Sequence, residues 1–209
     1  MLFLPENKSL LTLDLSRKNL TDYSAKQIAD MLKANKKLVR LELEGNFFGP
    51  EGCKFLAEAL RVNKTLKYLD LENNKLTNQG QDDSGIISLF KSVKVNKSLI
   101  SLNLNNNYLT AICGHAICEC LRENENIIHL DIMQNQRFTS KKNERNEDGD
   151  SKYLSNGLTL FQLEEIKEKI AENKKLYDTM RKEEWKERKK MKIDDDEVNN
   201  VATYLSHLK

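Results

Sequence analysis

Apolar positions along the chain follow two alternating periods. Leucines at i, i+3 and i+5 are followed by apolar residues at i, i+3 and i+7, and the pair of patterns then recurs. In the first pattern, Leu41 and Leu43 lie two residues apart, the spacing that sends alternate side chains of a strand to one side. In the second, Ala25, Ile28 and Leu32 line one face of a helix. Cys53, Leu56 and Leu60 do the same, as do Ile86, Leu89 and Val93, and Gly114, Ile117 and Leu121. One strand and one helix cannot cover their own apolar faces, so the units must stack.

A junction marks each unit: Asn7-Lys-Ser-Leu10, Asn35-Lys-Lys-Leu38, Asn63-Lys-Thr-Leu66, Asn96-Lys-Ser-Leu99 and Asn124-Glu-Asn-Ile127. From Leu10 to Leu38, Leu38 to Leu66 and Leu99 to Ile127 the spacing is 28 residues, and from Leu66 to Leu99 it is 33. The longer spacing predicts a five-residue insertion, assigned to the polar stretch Gln81-Asp-Asp-Ser-Gly85. After each junction comes L-x-x-L-x-L-x-x-N-x-L, as in Leu66, Leu69, Leu71, Asn74 and Leu76. The first copy has Lys18 in the asparagine slot, and the fifth has Arg137 in place of the last leucine. The asparagine sits where the chain leaves the strand, and its amide suits backbone groups that a buried bend would leave unpaired.

These units resemble leucine-rich repeats of the ribonuclease-inhibitor-like kind over roughly residues 1–135. The resemblance implies an α/β fold. It is a leucine-rich-repeat solenoid with a curved parallel β-sheet inside, α-helices outside and a C-terminal helical extension. Five strands are expected to start near residues 10, 38, 66, 99 and 127.

Residues 136–157 read as a polar loop insertion. A helix then begins at the capping box Thr159-x-x-Gln162, with Leu158 and Leu163 as a hydrophobic staple. Leu163, Ile166 and Ile170 carry the repeat stripe into Asn173-Lys-Lys-Leu176, so residues 158–176 read as the last repeat helix and cap. Thr179 and Arg181 stand where a sixth strand needs leucines. Residues 177–209 are expected to form a projecting charged helix and a short terminal helix, the latter capped by Asp194–Asp196 and lined by Val198, Val201, Leu205 and Leu208. At the other end, Leu2-Phe-Leu4 either caps the first strand or marks the chain as a fragment.

Charge narrows the partners. The 209 residues carry 34 Lys and Arg against 32 Asp and Glu, a net +2, which gives no overall pull toward nucleic acid or an anionic membrane. Neither a membrane span nor a signal peptide is expected from the apolar runs. Three of the four cysteines crowd into 113–120, unlike a disulfide framework, which points to a reducing cytoplasmic setting. The acceptor patterns at Asn7, Asn19, Asn63 and Asn96 are then expected to stay unglycosylated.

Cys113, His115, Cys118 and Cys120 invite a metal reading. Against it, Cys118 fills an apolar slot and Cys113 lies about two helical turns from Cys120. The histidines, His115, His129 and His207, sit in no nucleophile or metal motif, and no glycine-rich phosphate loop occurs. The expectation is no enzyme, no cofactor and no metal.

Residues between the strand leucines form the candidate site on the concave face. One column reads Asp14, Glu42, Asp70, Asn103, Asp131. The next reads Ser16, Glu44, Glu72, Asn105, Met133, and the column before reads Thr12, Arg40, Tyr68, Ser101, His129. The acids favour a basic protein partner, with Arg40 and Tyr68 as anchor types. A second candidate surface is the C-terminal helix at Arg181, Trp185 and Arg188, because a lone tryptophan on a charged helix needs a cover.

The resulting expectation is a non-catalytic protein–protein interaction scaffold or adaptor in a larger assembly, with no nucleic acid or membrane partner. Repeats rich in Asn and Lys resemble those of ciliary axoneme proteins, which suggests a cytoskeletal or axonemal place. Two alternatives stay open. One is a regulator of a small GTPase, resembling the Ran GTPase-activating protein but shorter and without its acidic tail. The other is an actin-binding cap, because the C-terminal half of tropomodulin resembles a short array with a terminal helix.

Overall fold

The computed structural model describes residues 7, 9–135 and 157–191, the last seven of these by backbone alone. Five three-residue strands, β1 (Thr12–Asp14), β2 (Arg40–Glu42), β3 (Tyr68–Asp70), β4 (Ser101–Asn103) and β5 (His129–Asp131), form one parallel sheet in chain order. Helices α1 (Asp22–Ala34), α2 (Pro50–Val62), α3 (Ser84–Val95) and α4 (Ala111–Leu121) alternate with them, and α5 (Leu160–Met191) follows β5. The chain divides into two units between Lys174 and Lys175. The sheet and α1–α4 belong to the first, and the described part of the second is α5 from residue 175 onward.

Both apolar patterns point into one core. Leu38, Leu41, Leu43 and Phe48 are buried beside Ile28, Leu32, Leu56 and Leu60, and the third and fourth units repeat the arrangement. In the first unit the equivalent Leu10, Leu13, Leu15 and Leu20 are only partly buried. The paired part of each strand begins two residues after the junction leucine. The reason is a turn: Asn35 Oδ1 accepts from the N–H groups of Lys37 and Leu38 at 2.8 Å each, and Arg40 is the first residue in the ladder. Asn7, Asn63, Asn96 and Asn124 close the same turn.

Asparagines also join unit to unit in two rows. The junction amide of Asn63 donates to Leu32 O (2.8 Å) and Asn35 O (3.3 Å) of the unit before it, Asn96 to Leu60 O and Asn63 O, and Asn124 to Val93 O and Asn96 O. At the bend, Asn46 donates to Leu15 O and accepts from Lys18 N and Leu20 N, all in the preceding unit. Asn74 and Asn135 do likewise. These buried side chains satisfy main-chain groups that no strand or helix reaches.

The insertion lies earlier than the sequence suggested. It is a turn over residues 76–81, with left-handed backbone at Asn78, Gln79 and Gly80, while Ser84 and Gly85 already belong to α3. The turn is tied down by Thr77, whose hydroxyl accepts from Gly80 N and lies 2.9 Å from Asn107 O in the next unit. Asn107 Oδ1, which follows this insertion, is buried without a partner among the described residues.

At α5 the capping box forms: Gln162 N donates to Thr159 Oγ1 and Thr159 N to Gln162 Oε1. Leu158 is fully buried, and Leu163 packs on the same core. Asn173 is buried and donates to Asn124 O and Ile127 O, which ties the helix to the fifth unit. No break occurs at Leu176, because α5 runs on to Met191 as one helix. All but Gly157 of the loop expected over 136–157, the terminal helix beyond residue 191, Leu2–Leu4, and the side chains of Trp185 and Arg188 lie outside the described residues.

Candidate protein-binding surface

The strand register sets two of the three columns side by side. Asp14 aligns with Glu42, Glu42 with Asp70, Asp70 with Asn103 and Asn103 with Asp131. Thr12, Arg40, Tyr68, Ser101 and His129 align in the same way. With Leu13, Leu41, Leu69, Leu102 and Leu130 turned to the core, period-two alternation puts both columns on the sheet face away from the helices. Asp14 and Asp131 are exposed, while Arg40, Glu42, Glu44, Asp70, Glu72, Asn103, Asn105 and His129 are half-buried.

Local hydrogen bonds hold this face. Asp14 Oδ1 accepts from Ser16 N, Asp70 Oδ1 from Glu72 N and Asn103 Oδ1 from Asn105 N. Each is a short polar side chain closing its own turn. Asn103 Nδ2 donates to both Asp70 Oδ2 (3.1 Å) and Glu72 Oε2 (2.9 Å), so one amide holds two carboxylates together. Asn105 Oδ1 accepts from Met133 N of the next unit.

Two carboxylates of this face, Asp70 and Asp14, are shifted in opposite directions. Burial pushes the Asp70 carboxyl above the usual range, and the charges of Glu72 and Glu44 add to it against the bonds from Glu72 N and Asn103. Asp14 is held below that range by the Ser16 N–H and hydroxyl. Ionising Asp70 is therefore harder than ionising a carboxylate in water, and a nearby cation would ease it.

Tyr68 does not offer its ring as an anchor. It is 8% exposed, and the Arg40 guanidinium stacks on it at 4.6 Å while approaching Glu42 at 3.5 Å. Arg181 is half-buried, 5.9 Å from the Tyr177 ring in the second unit.

The sequence reading missed residues at the bends. Arg17, in left-handed backbone, reaches Glu44 at 2.6 Å, and Lys75 lies 4.9 Å over the half-exposed ring of Phe47. Neither stands in the strand columns that the periodicity marks. Ile112 and Phe161, twelve residues before their junction asparagines, are 60% and 71% exposed on the helix side.

The cysteines behave as core. All four are buried and free. Burial raises Cys53, pushes Cys113 up to about 12 with help from Asp83, Cys120 to about 12 and Cys118 to about 11. Reactive thiolates need the opposite shift. Among the described residues no group of three or more His, Cys, Asp or Glu is placed to hold a metal ion, and no helix is long and apolar enough to cross a membrane.

The model of the Leucine Rich repeat family matches residues 34–57 and 62–80. No curated protein matches the chain significantly. Among solved structures, it is similar to leiomodin-1 actin-binding site 2, with a TM-score of 0.67 and 15% identity over 90% of this chain and 94% of that one. It is also similar to the tropomodulin C-terminal domain of Caenorhabditis elegans, with a TM-score of 0.65 and 14% identity over 86% and 93% of the two chains. At such identity the likeness is one of fold, an α/β leucine-rich-repeat solenoid.

Proposed function

We propose that this leucine-rich-repeat protein is a non-catalytic scaffold that holds a basic protein partner on the exposed face of its sheet. The observation that carries the reading is the in-register row Asp14–Glu42–Asp70–Asn103–Asp131, flanked by Glu44 and Glu72. Six carboxylates lie on that face with one arginine, Arg40, already engaged by Tyr68. Rigid units stacked through buried asparagines suit recognition, because little conformational freedom is lost on binding. A cytoskeletal assembly, the ciliary axoneme included, is the proposed setting.

The decisive variant is Asp70→Lys with Glu72→Lys. Partner capture from native extract, quantified against wild type, is expected to fall at least tenfold, since like charges across an interface cost several kcal/mol. Unchanged capture by the reversed face would remove the basis of the reading.

A second reading is actin binding. It is favoured by the likeness to leiomodin-1 actin-binding site 2, which covers 90% of this chain and 94% of that one. Co-sedimentation with actin filaments decides it: a saturable pellet fraction supports the reading, and a supernatant-only protein excludes it.

A further inference from the structure

The sheet face and the second unit have opposite charge patterns that fit one another. On the helix of residues 175–191, at 100° per residue, Lys175, Arg181, Lys182, Trp185, Lys186, Arg188 and Lys189 fall within one half of the circumference, with Asp178 as the one acid among them. Glu183, Glu184 and Glu187 fall on the other half with Lys190. The sheet face carries Asp14, Glu42, Glu44, Asp70, Glu72 and Asp131, and two arginines beside them, Arg17 and Arg40, are already engaged by Glu44 and Tyr68.

We propose that the basic face of this helix in one molecule lies across the sheet face of a second copy. The dimensions agree. The basic positions 181–189 run about 12 Å at about 1.5 Å each, and the three strands β1–β3, about 4.8 Å apart, span about 10 Å. Positions three or four apart on a helix lie about 5–6 Å from one another, close to the strand spacing. Positions 182, 186 and 189 thus recur at about the spacing of β1, β2 and β3, which carry Asp14, Glu42 and Asp70 in register. At Asp70, where burial and neighbouring charge disfavour ionisation, an arriving cation favours the ionised form. The contact is heterologous, joining two different surfaces of the same chain, so it propagates head to tail unless the rotation closes a ring.

The inference rests on the sheet face being a binding surface, and it adds that this chain is itself a ligand. Sedimentation velocity of the full chain over about 1 μM to 0.1 mM is expected to show a rising sedimentation coefficient at low salt. The rise is lost near 1 M salt, where charges are screened beyond about 3 Å. Trp185 is the only tryptophan, so its emission is expected to shift to the blue in step with association. Lys182→Glu with Lys186→Glu, and separately Asp70→Lys with Glu72→Lys, should each leave a monomer, and an equimolar mixture of the two variants should associate again. If the face variant fails to fold, Asp14→Lys with Asp131→Lys, both at exposed positions, takes its place. A wild type that stays monomeric throughout overturns the inference, and so does a mixture that fails to associate. Loss of self-association with partner capture intact in Lys182→Glu/Lys186→Glu separates this inference from the scaffold reading, which only the face variants test.

Discussion

A single side chain type, asparagine, carries the hydrogen-bond accounting of this molecule. Asn96 donates to Leu60 O at 2.6 Å and Asn63 O at 3.1 Å and accepts from Ser98 N and Leu99 N. Asn96→Ala leaves those buried groups unpaired, so a loss of about 2–4 kcal/mol is expected in urea unfolding. Lys97→Ala, one residue on and exposed, should stay within about 0.5 kcal/mol. The same bonds occupy the amide nitrogens of Asn63 and Asn96, the atoms that glycosylation would need. Asp70 gives a pH prediction with a definite sign. Its folded pKa is raised, so its contribution to stability is fully present below the ordinary value of an aspartate and is lost as pH rises through the folded value. Asp70→Asn is therefore expected to raise the melting temperature at pH 7 and to leave it unchanged near pH 3. A destabilised variant at pH 7 contradicts the burial argument. Asp14, with a lowered pKa, has the opposite sign.

At the scale of elements, one tetrapeptide has two fates. Asn35-Lys-Lys-Leu38 ends α1 and turns into β2, whereas Asn173-Lys-Lys-Leu176 lies inside α5. Local propensity cannot separate identical residues, so the sequence beyond them does. Val39-Arg-Leu-Glu42 has β1 to pair with, and Leu38 enters the core. Tyr177-Asp-Thr-Met180 has no inward leucine to offer at Thr179, and the strong helix formers that follow extend the helix. Leu38→Ala should cost about 2–5 kcal/mol. Leu176→Ala, at a side chain 41% exposed, should fall within about 0.5 kcal/mol. Equal losses at the two leucines would refute the assignment.

For the first unit as a whole, stability comes from nearest neighbours. Gly85 sits where α3 touches α2, and a Cβ there would meet Pro50 O at 2.7 Å and Pro50 Cα at 2.8 Å. Backbone cannot move aside as a side chain can, so Gly85→Ala is expected to lose about 1–3 kcal/mol. Gly114 faces only the Gln162 side chain, and Gly114→Ala should be markedly milder in the same thermal melt. Among the described strands, β1 has a single neighbour and its leucines are half covered. Amide exchange at Leu15, bonded to Glu42 O, is therefore expected to outpace exchange at Leu43, bonded to Asp70 O. The reverse order would contradict the stacking account.

The leucine spacing alone determined that strands and helices alternate, which residues enter the core, and which residues share a column on the sheet face. Both periods are local, and a stack of equal units repeats its register automatically. Tertiary structure decided the rest. The insertion moved to 76–81 because Thr77 is held by the next unit, and Leu176 left the core because no sixth strand was there to receive its turn. Tyr68 became a buried platform because Arg40 on the neighbouring strand covers it. Thr77 and Tyr68 turn on a partner 28 or more residues away, and Leu176 on a neighbouring strand that does not follow, and that is information a repeat pattern does not contain.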